Sequence, residues 1–474
     1  MTANLSANVA AVREALNHLD IDDNPATLKQ KSRDFFWYSP VLKARMDHLV
    51  GDFVVSPRSE EEVIEVLKTC YAHDVSVTTR GAGTGNYGQA MPLAGGVVMH
   101  MKNMTKVKEV HPGRVIVEPG CVVKDLDRQT REHSGQEQRM MPSTYGTATI
   151  GGFIAGGSGG IGSVRWGALR DLGNILRLRV VTMEEEPRIL EFTGEDLARV
   201  SHAYGTNGII TEIEMPLAPA YDWVEFALGF DDFMANANFA HDLACQDGIL
   251  VKLVTPIEAP IPFKFFKRFK NHVREDQSLL IVLVAPQSLD GFAAFMGRNG
   301  SPEIVYRSDA STFERTPGHL AEYTWNHTTL RALQVDPNIT YLQVRYGGSD
   351  PVAQVAKIRE TFGAEVLQHL EVMREGGRVI FAGLPIVDFT TEEPLDEIIR
   401  IHEGHDCLIF NPHRYTLEEG GRQKTDDRQL LFKKEADPKG LLNPGKMIAW
   451  DDPNWSYEAM YSYPHIKKPS EIAA

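Results

Sequence analysis

The stretch that most restricts the fold is Ser76-Val-Thr-Thr-Arg80-Gly-Ala-Gly-Thr-Gly-Asn-Tyr-Gly-Gln89. A β-branched run, Val75 and Val77 to Thr79, feeds a loop carrying Gly81, Gly83, Gly85 and Gly88. A backbone without Cβ atoms can take positive φ and approach a ligand closely, so successive N–H groups can converge on an anion. Arg80 adds a fixed positive charge at the entrance. The pattern predicts a phosphate cradle; its alternative is a solvent loop with chance glycines. Gly83-Thr-Gly85-Asn-Tyr-Gly88 also matches the dinucleotide fingerprint GxGxxG, which needs a helix to open in the loop. Here Pro92 and Gly95-Gly96 follow and lead into another apolar run, Val97-Val-Met-His100, so a helix has no place to begin.

A second glycine cluster changes the weight of those readings. It runs Pro142-Ser-Thr-Tyr-Gly146-Thr-Ala-Thr-Ile150-Gly151-Gly152-Phe-Ile-Ala-Gly156-Gly157-Ser-Gly159-Gly160-Ile-Gly162-Ser163, and Trp166-Gly167 and Asp171 follow. A third segment, Gly205-Thr-Asn-Gly208-Ile209-Ile210-Thr211-Glu212, closes the region, and Asp437-Pro-Lys-Gly-Leu-Leu-Asn443-Pro-Gly-Lys446-Met447 lies far downstream. With these four motifs the chain resembles the vanillyl-alcohol-oxidase and p-cresol-methylhydroxylase (PCMH) superfamily of FAD-linked oxidoreductases. Arg80-Gly-Ala-Gly-Thr is similar to the family's pyrophosphate loop and Thr149-Ile-Gly-Gly152 to its isoalloxazine-side motif. Gly208 to Thr211 is similar to the adenine-side strand, and Asp437 to Met447 to the carboxy-terminal signature. Four ordered matches are specific where any one alone is weak.

The resemblance implies an α+β chain: a PCMH-type FAD-binding domain of two subdomains, with an α+β cap built on an antiparallel sheet. It implies FAD contacts from Arg80, Gly81, Ala82, Gly83, Thr84, Gly85, Asn86 and Gln89. Pro142, Ser143, Gly146, Thr147, Ile150, Gly151, Gly152, Gly156, Gly157, Gly160, Ser163 and Gly167 form a second expected set. Gly208, Ile209, Ile210, Asn443 and Lys446 complete it. Members with a histidyl-linked flavin often carry histidine where Thr84 stands, and members with a cysteinyl link carry cysteine near Tyr145. Neither is present, so the resemblance implies noncovalent FAD, although a histidine from the cap could still attach it.

At 474 residues the chain favours several domains. The expected division is an amino-terminal segment (1–45), the FAD-binding domain (46–220), the cap or substrate domain (221–430) and a returning carboxy-terminal segment (431–474). A net charge of −15 argues against a nucleic-acid partner. Cys70, Cys121, Cys245 and Cys407 show no CxxC spacing, which fits a reducing compartment rather than a disulfide framework or zinc ribbon. No basic stretch followed by an apolar block opens the chain, and the longest apolar run, Leu279 to Ala285, is far short of the ~20 residues a membrane span needs. The expectation is a cytoplasmic protein without a transmembrane segment; a homodimer stays open.

Within the FAD-binding region, Ser59 can cap a helix with Glu60, Glu61 and Glu62 in its first turn. Val63, Val66, Leu67 and Cys70 fall on one helical face. After Pro219 the pattern changes. Phe226 to Phe230, a helix from Asp231 and a strand at Ile249–Thr255 are echoed by Thr340 to Tyr346, a helix from Asp350 and a strand at Val379–Leu384. The reading is one β-α-β idea used twice, in an antiparallel sheet with helices on one face. The aromatic run Ser32-Arg-Asp-Phe-Phe-Trp-Tyr-Ser-Pro40 either walls the flavin or packs the amino-terminal segment onto the core.

Two constellations qualify for chemistry. One is Tyr323-Thr-Trp-Asn-His327-Thr-Thr. Hydroxy-acid members of the superfamily are expected to carry a carboxylate-binding arginine shortly after such a tryptophan; Thr328 stands there instead, with Arg331 or Arg345 as substitutes. The other is His402-Glu-Gly-His405-Asp-Cys-Leu-Ile-Phe-Asn411-Pro-His413-Arg414-Tyr415-Thr-Leu-Glu418-Glu419. Histidine beside carboxylate can act as a base on a substrate hydroxyl or ligate a divalent cation, but the family's metal spacing is not reproduced, and no metal ligand set is assigned. His405, His413, His327 and Tyr323 are the catalytic candidates, with purely structural roles as the alternative. A basic-aromatic island, Phe263-Lys-Phe-Phe-Lys-Arg-Phe-Lys270, is either a helix with solvated lysines or a contact for an anionic membrane.

Together these imply an FAD-dependent oxidase or dehydrogenase that removes hydride from a small alcohol, phenolic or hydroxy-acid substrate. Its electron acceptor would be oxygen, a quinone or a redox protein. The rivals are a flavin-binding protein without turnover and a membrane-associated quinone-linked 2-hydroxy-acid dehydrogenase.

Overall fold

A computed structural model of the chain describes residues 6–310, 313 and 317–456. Three short apolar strands, Phe53–Val55, Val77–Arg80 and Val97–His100, pair in parallel, with Val97–His100 in the middle. Parallel neighbours need a crossover, and the Glu60–Ala72 helix supplies it. Ser59 accepts the Glu62 N–H at its start, and Val63, Val66, Leu67 and Cys70 face the core. No helix follows the Arg80 loop; the next regular element is the Val97 strand.

The amino-terminal residues are built into this sheet rather than preceding it. Ile21–Asp22 pairs antiparallel with Phe53–Val55, and Val9, Val12, Leu16 and Leu19 fill the same core. Leu442 bridges Val77 in parallel, so the chain returns to this sheet late in its course. A second, antiparallel sheet runs in the order Val107–His111, Arg114–Val117, Ile209–Pro219, Arg177–Val181, Ile189–Thr193, with Gln136–Gln138 on the end of its longest strand.

The repeat after Pro219 is larger than the sequence pattern conveys. The first unit is strand Val224–Phe230, helix Phe233–Ala244, strands Val251–Ile257 and Ser278–Val284, helix Leu289–Arg298 and strand Glu303–Arg307. The second is Val344–Tyr346, Pro351–Phe362, Leu370–Glu375, Arg378–Gly383, Glu392–Gly404 and Leu408–Ile409. Each is a β-α-β-β-α-β unit with its strands in the spatial order second, third, first, fourth, all antiparallel. An Ile257–His369 bridge joins the two units, and their helices share one apolar core that includes Phe233, Leu243, Val355 and Ile399.

Thr340 to Tyr346 is not one strand. Ile339–Tyr341 pairs in a separate three-stranded sheet, Val344–Tyr346 in the second repeat unit, and Gln343 lies at the break. The aromatic run takes its packing role: Phe36 and Tyr38 are buried, and Tyr38 meets Tyr341 edge-on at 6.1 Å. In the basic island Phe265, Phe266 and Phe269 turn inward while Lys264, Lys267 and Lys270 stay exposed. Among the described residues, no helix is long and apolar enough to cross a membrane.

Candidate active site

A cavity of about 880 Å³ opens between the two glycine loops and the second repeat unit. Arg80 sets the shape of its floor. The guanidinium points back into its own loop, donating to the carbonyls of Gly81 at 3.2 Å, Ala82 at 2.8 Å and Arg33 at 2.8 Å, and also to Lys31. Burial lowers its pKa to about 10, so it stays charged at neutral pH. With the carbonyls turned inward onto a cation, the N–H groups of Ala82, Gly83, Thr84 and Gly85 donate to no protein acceptor among the described residues. Free amides on a loop that lines a cavity are what a phosphate needs. Gly83 takes φ +73°, and a Cβ there would lie 1.9 Å from Arg80 Nη2. At Gly81 a Cβ would lie 2.0 Å from Thr149 Oγ1, which ties this loop to the start of the Ile150–Gly156 helix.

The loop is held from behind as well. Phe35 N–H donates to the Gly85 carbonyl at 2.6 Å, and Asp34 accepts from Phe36 and Ala90 N–H. Asn443 donates to the carbonyls of Gln89 at 2.8 Å and Tyr204 at 2.7 Å, and the buried Lys446 ammonium donates to Gly88. Burial pushes Asp34 up to about 6 and Lys446 down to about 7, each charge partly offsetting the other's desolvation.

Of the residues expected to touch cofactor, Arg80, Gly81, Ala82, Gly83, Thr84, Gly85, Asn86, Gln89, Pro142, Ser143, Gly151, Gly152, Gly156, Gly157, Gly208, Ile209 and Ile210 line the cavity. The others do not. Gly146 and Thr147 sit on an exposed turn, and Ile150 is core. Gly160 and Ser163 form a turn in which Ser163 Oγ accepts the Gly160 N–H, and within it the Gly162 N–H donates to the carbonyl of Lys252 in the first repeat unit. At Gly167 a Cβ would meet the Asp171 carboxylate at 2.3 Å. Asn443 and Lys446 stand behind the loop as described.

None of the four catalytic candidates lines the cavity. His413 is buried between Ser39 Oγ at 2.7 Å and the Tyr341 carbonyl at 3.0 Å. Nε2–H donates to that carbonyl and Nδ1 accepts from the serine, so both ring nitrogens are committed, and burial drops its pKa to about 3. His405 caps the Glu392–Gly404 helix and is half-buried. His327 faces Glu322 at 3.0 Å. Tyr323 donates to the Pro317 carbonyl at 2.9 Å, with Arg331 stacked on its ring at 3.8 Å. Each of the four thus has its neighbours outside the cavity: protein partners for His413, His327 and Tyr323, and a helix end for His405. The His402 to Glu419 stretch is likewise dispersed by the fold, and among the described residues no group of three His, Cys, Asp or Glu side chains could hold a metal ion.

The cavity carries polar groups that the sequence reading passed over. His202 lines it with backbone φ +55°, followed by Tyr204 at +53° and Gly205 at +68°. Its Nδ1 faces the Gly157 carbonyl at 3.0 Å, which places the proton on Nδ1 and leaves the Nε2 lone pair without a partner among the described residues. Burial, reinforced by the Arg170 charge, lowers its pKa to about 4. Across the cavity Arg345 forms a bidentate pair with Glu375. Arg422 also lines the cavity, has no carboxylate in ion-pair range among the described residues, and its charge reaches both His202 and Glu375. The one available signal for His202 was a histidine just before Gly205-Thr-Asn-Gly208; its strained backbone is invisible in sequence.

A family profile described as an FAD binding domain matches residues 51–190. The chain is 32% identical over 434 residues to glycolate oxidase subunit GlcD of Bacillus subtilis (strain 168), covering 84% of this chain and 89% of that protein. Its fold is similar to alkyldihydroxyacetonephosphate synthase (TM-score 0.67, 14% identity, 94% of this chain and 86% of the other). It is also similar to 4-ethylphenol oxidase from Gulosibacter chungangensis (TM-score 0.62, 17% identity, 94% and 98%).

Proposed function

The chain belongs to the vanillyl-alcohol-oxidase and p-cresol-methylhydroxylase superfamily of FAD-linked oxidoreductases, and on that premise we propose that it oxidises a small 2-hydroxy acid. It is an FAD-linked oxidase or dehydrogenase, acting on a small molecule and handing electrons to an acceptor. The free amides of Ala82 to Gly85, with the space that glycine leaves at Gly81 and Gly83, suit the pyrophosphate of FAD. Thr84, rather than a histidine, faces the cavity from that loop, and we take the cofactor as noncovalently held.

The observation that carries the substrate class is that one cavity holds both a neutral base and a cation with no carboxylate in ion-pair range among the described residues. Arg422 supplies a charge for a carboxylate, and His202 Nε2 a lone pair for the neighbouring hydroxyl proton. Arg345 does not replace the missing arginine at Thr328 outright, because Glu375 already occupies the Nε–Nη2 edge of its guanidinium. Arg331 is turned away onto Tyr323. FAD, when bound, supplies the two-electron acceptor. His202 holds the hydroxyl proton on Nε2, its Nδ1–H staying on the Gly157 carbonyl, while Arg422 fixes the carboxylate. GlcD is named for glycolate, itself a 2-hydroxy acid, which supports this reading.

The test is anaerobic flavin bleaching across 2-hydroxy acids, simple alcohols and 4-alkylphenols. Bleaching by hydroxy acids, with little by their amides, is expected. Bleaching by phenols or uncharged alcohols alone would remove the hydroxy-acid reading and leave the oxidoreductase standing.

A further inference from the structure

Trp325 is held in a conformation its side chain does not explain. Its backbone sits at φ +51° and ψ −140°, a region that residues with a Cβ seldom occupy. The indole ring lines the cavity and lies against the second glycine cluster: a Cβ on Gly159 would come within 3.1 Å of its Cη2. The indole Nε1 is buried and has no hydrogen-bond acceptor among the described residues, so no bond shown there fixes the ring. Its backbone is fixed instead. The Trp325 N–H donates to Glu371 Oε1, a carboxylate with no solvent exposure.

Glu371 is built in for that task. Its second oxygen accepts from Thr255 at 2.6 Å, and Oε1 also takes His369 Nε2 at 3.0 Å. Thr255 belongs to the first repeat unit, Glu371 to the second and Trp325 to the segment between them. Thr328, the residue standing where an arginine is expected, lies 3.2 Å from His369 Nε2 and donates to the Tyr323 carbonyl at 2.6 Å. Taking the Trp325 N–H away would remove one of three donors from a fully buried carboxylate, and a hydrogen bond to a charged group is worth roughly 1.5–3 kcal/mol, so it does not leave Glu371 at low cost. The carboxylate thereby holds a strained backbone in place, and the strain is spent on the position of one ring on the cavity wall.

We propose that Trp325 sets the size limit for the substituent of the substrate and that Glu371 is its positioning residue. The inference rests on the hydroxy-acid reading above and adds a substrate class: short-chain 2-hydroxy acids, with long or aryl substituents excluded by the ring. Within that class Glu371 acts through Trp325 and touches no substrate.

The experiment compares flavin reduction of the FAD-loaded enzyme by 2-hydroxypropanoate, 2-hydroxybutanoate, 2-hydroxyoctanoate and 3-phenyl-2-hydroxypropanoate. FAD content and visible spectrum check that each variant is folded. Trp325→Ala should raise kcat/KM for the long acids relative to the short ones by about 10-fold or more, the discrimination that small differences in an apolar pocket supply. Glu371→Gln should shift the same ratio in the same direction by a few-fold, roughly, because one acceptor becomes a donor and releases the backbone. In the Trp325→Ala background, Glu371→Gln should not change the ratio further; a merely structural carboxylate would act the same with or without the ring. Trp325→Phe puts a smaller ring on the same backbone and should shift the ratio in the same direction by a smaller factor, which covers the case of an alanine variant that fails to fold. A parent bleached by the short acids whose Trp325 variants keep its size preference removes this inference alone. Equal effects of Glu371→Gln in both backgrounds remove the positioning role. A parent bleached by none of the acids removes the hydroxy-acid reading and this inference with it.

Discussion

Replacing Gly83 by alanine tests the cofactor loop at its tightest point. The new Cβ would stand 1.9 Å from Arg80 Nη2, 2.7 Å from its Cζ and 3.0 Å from the Arg33 carbonyl. The first two contacts are far inside van der Waals range, so the guanidinium must withdraw. Withdrawal breaks its bonds to the carbonyls of Ala82 and Arg33, and hydrogen bonds to a charged group are worth roughly 1.5–3 kcal/mol each. An L-residue at φ +73° adds roughly 1–2 kcal/mol. Even if half of this is recovered by relaxation, about 3 kcal/mol remains, or roughly a hundredfold in FAD affinity at 1.4 kcal/mol per decade. The assay is FAD titration of the apoprotein by fluorescence quenching, with urea melts of the apo form to separate lost binding from lost fold. Gly146→Ala is the control: its Cβ meets nothing within 4 Å, and the change should stay within about 0.5 kcal/mol. A Gly83→Ala protein that binds FAD within threefold of the parent would refute the cradle.

Two further outcomes follow from the titrating groups. His202→Asn should slow flavin reduction by roughly 10²–10⁴-fold with the flavin spectrum intact, and the parent's rate should rise with pH through about 4 and be flat near neutrality, since the base works only when neutral. A rate that keeps climbing through pH 7 would point to another base. Stability should fall as the solution is acidified below about pH 6.5, because burial lowers His100 and His413 to about 3 and His202 and His402 to about 4. A depressed histidine stabilises the native state above its unfolded pKa, and the contribution is lost as pH falls toward its native one; Asp34, raised to about 6, works the other way. With a net of about three protons the slope is at most about 4 kcal/mol per pH unit, read from urea melts between pH 7 and 5. His413→Gln should flatten it, and an unchanged slope would mean that His413 is not buried neutral.

The glycine loops, the helix capped by Ser59 and the doubled strand-helix pattern were legible because each is a local matter. Glycine spacing, a capping residue and apolar periodicity dictate backbone shape within a few residues, whatever the chain does elsewhere. Gly81 and Gly83 are therefore readable as a cradle from sequence alone, and the family signature follows from several such local matches in order. The direction a polar side chain takes is decided by partners hundreds of residues away. His413 looked like chemistry because its neighbours in sequence are titratable, yet Ser39 and Tyr341 claim both its nitrogens. Arg80, read as a charge for the phosphate, spends its donors on four backbone carbonyls and acts by leaving the loop amides free. His202 and Trp325 reached the cavity through positive φ angles that only packing against the Ile150–Gly156 helix and the buried Glu371 sustains. Local sequence determined where glycine loops could form; that His202 lines the cavity while Ser39 and Tyr341 claim His413 was decided only when distant segments packed together.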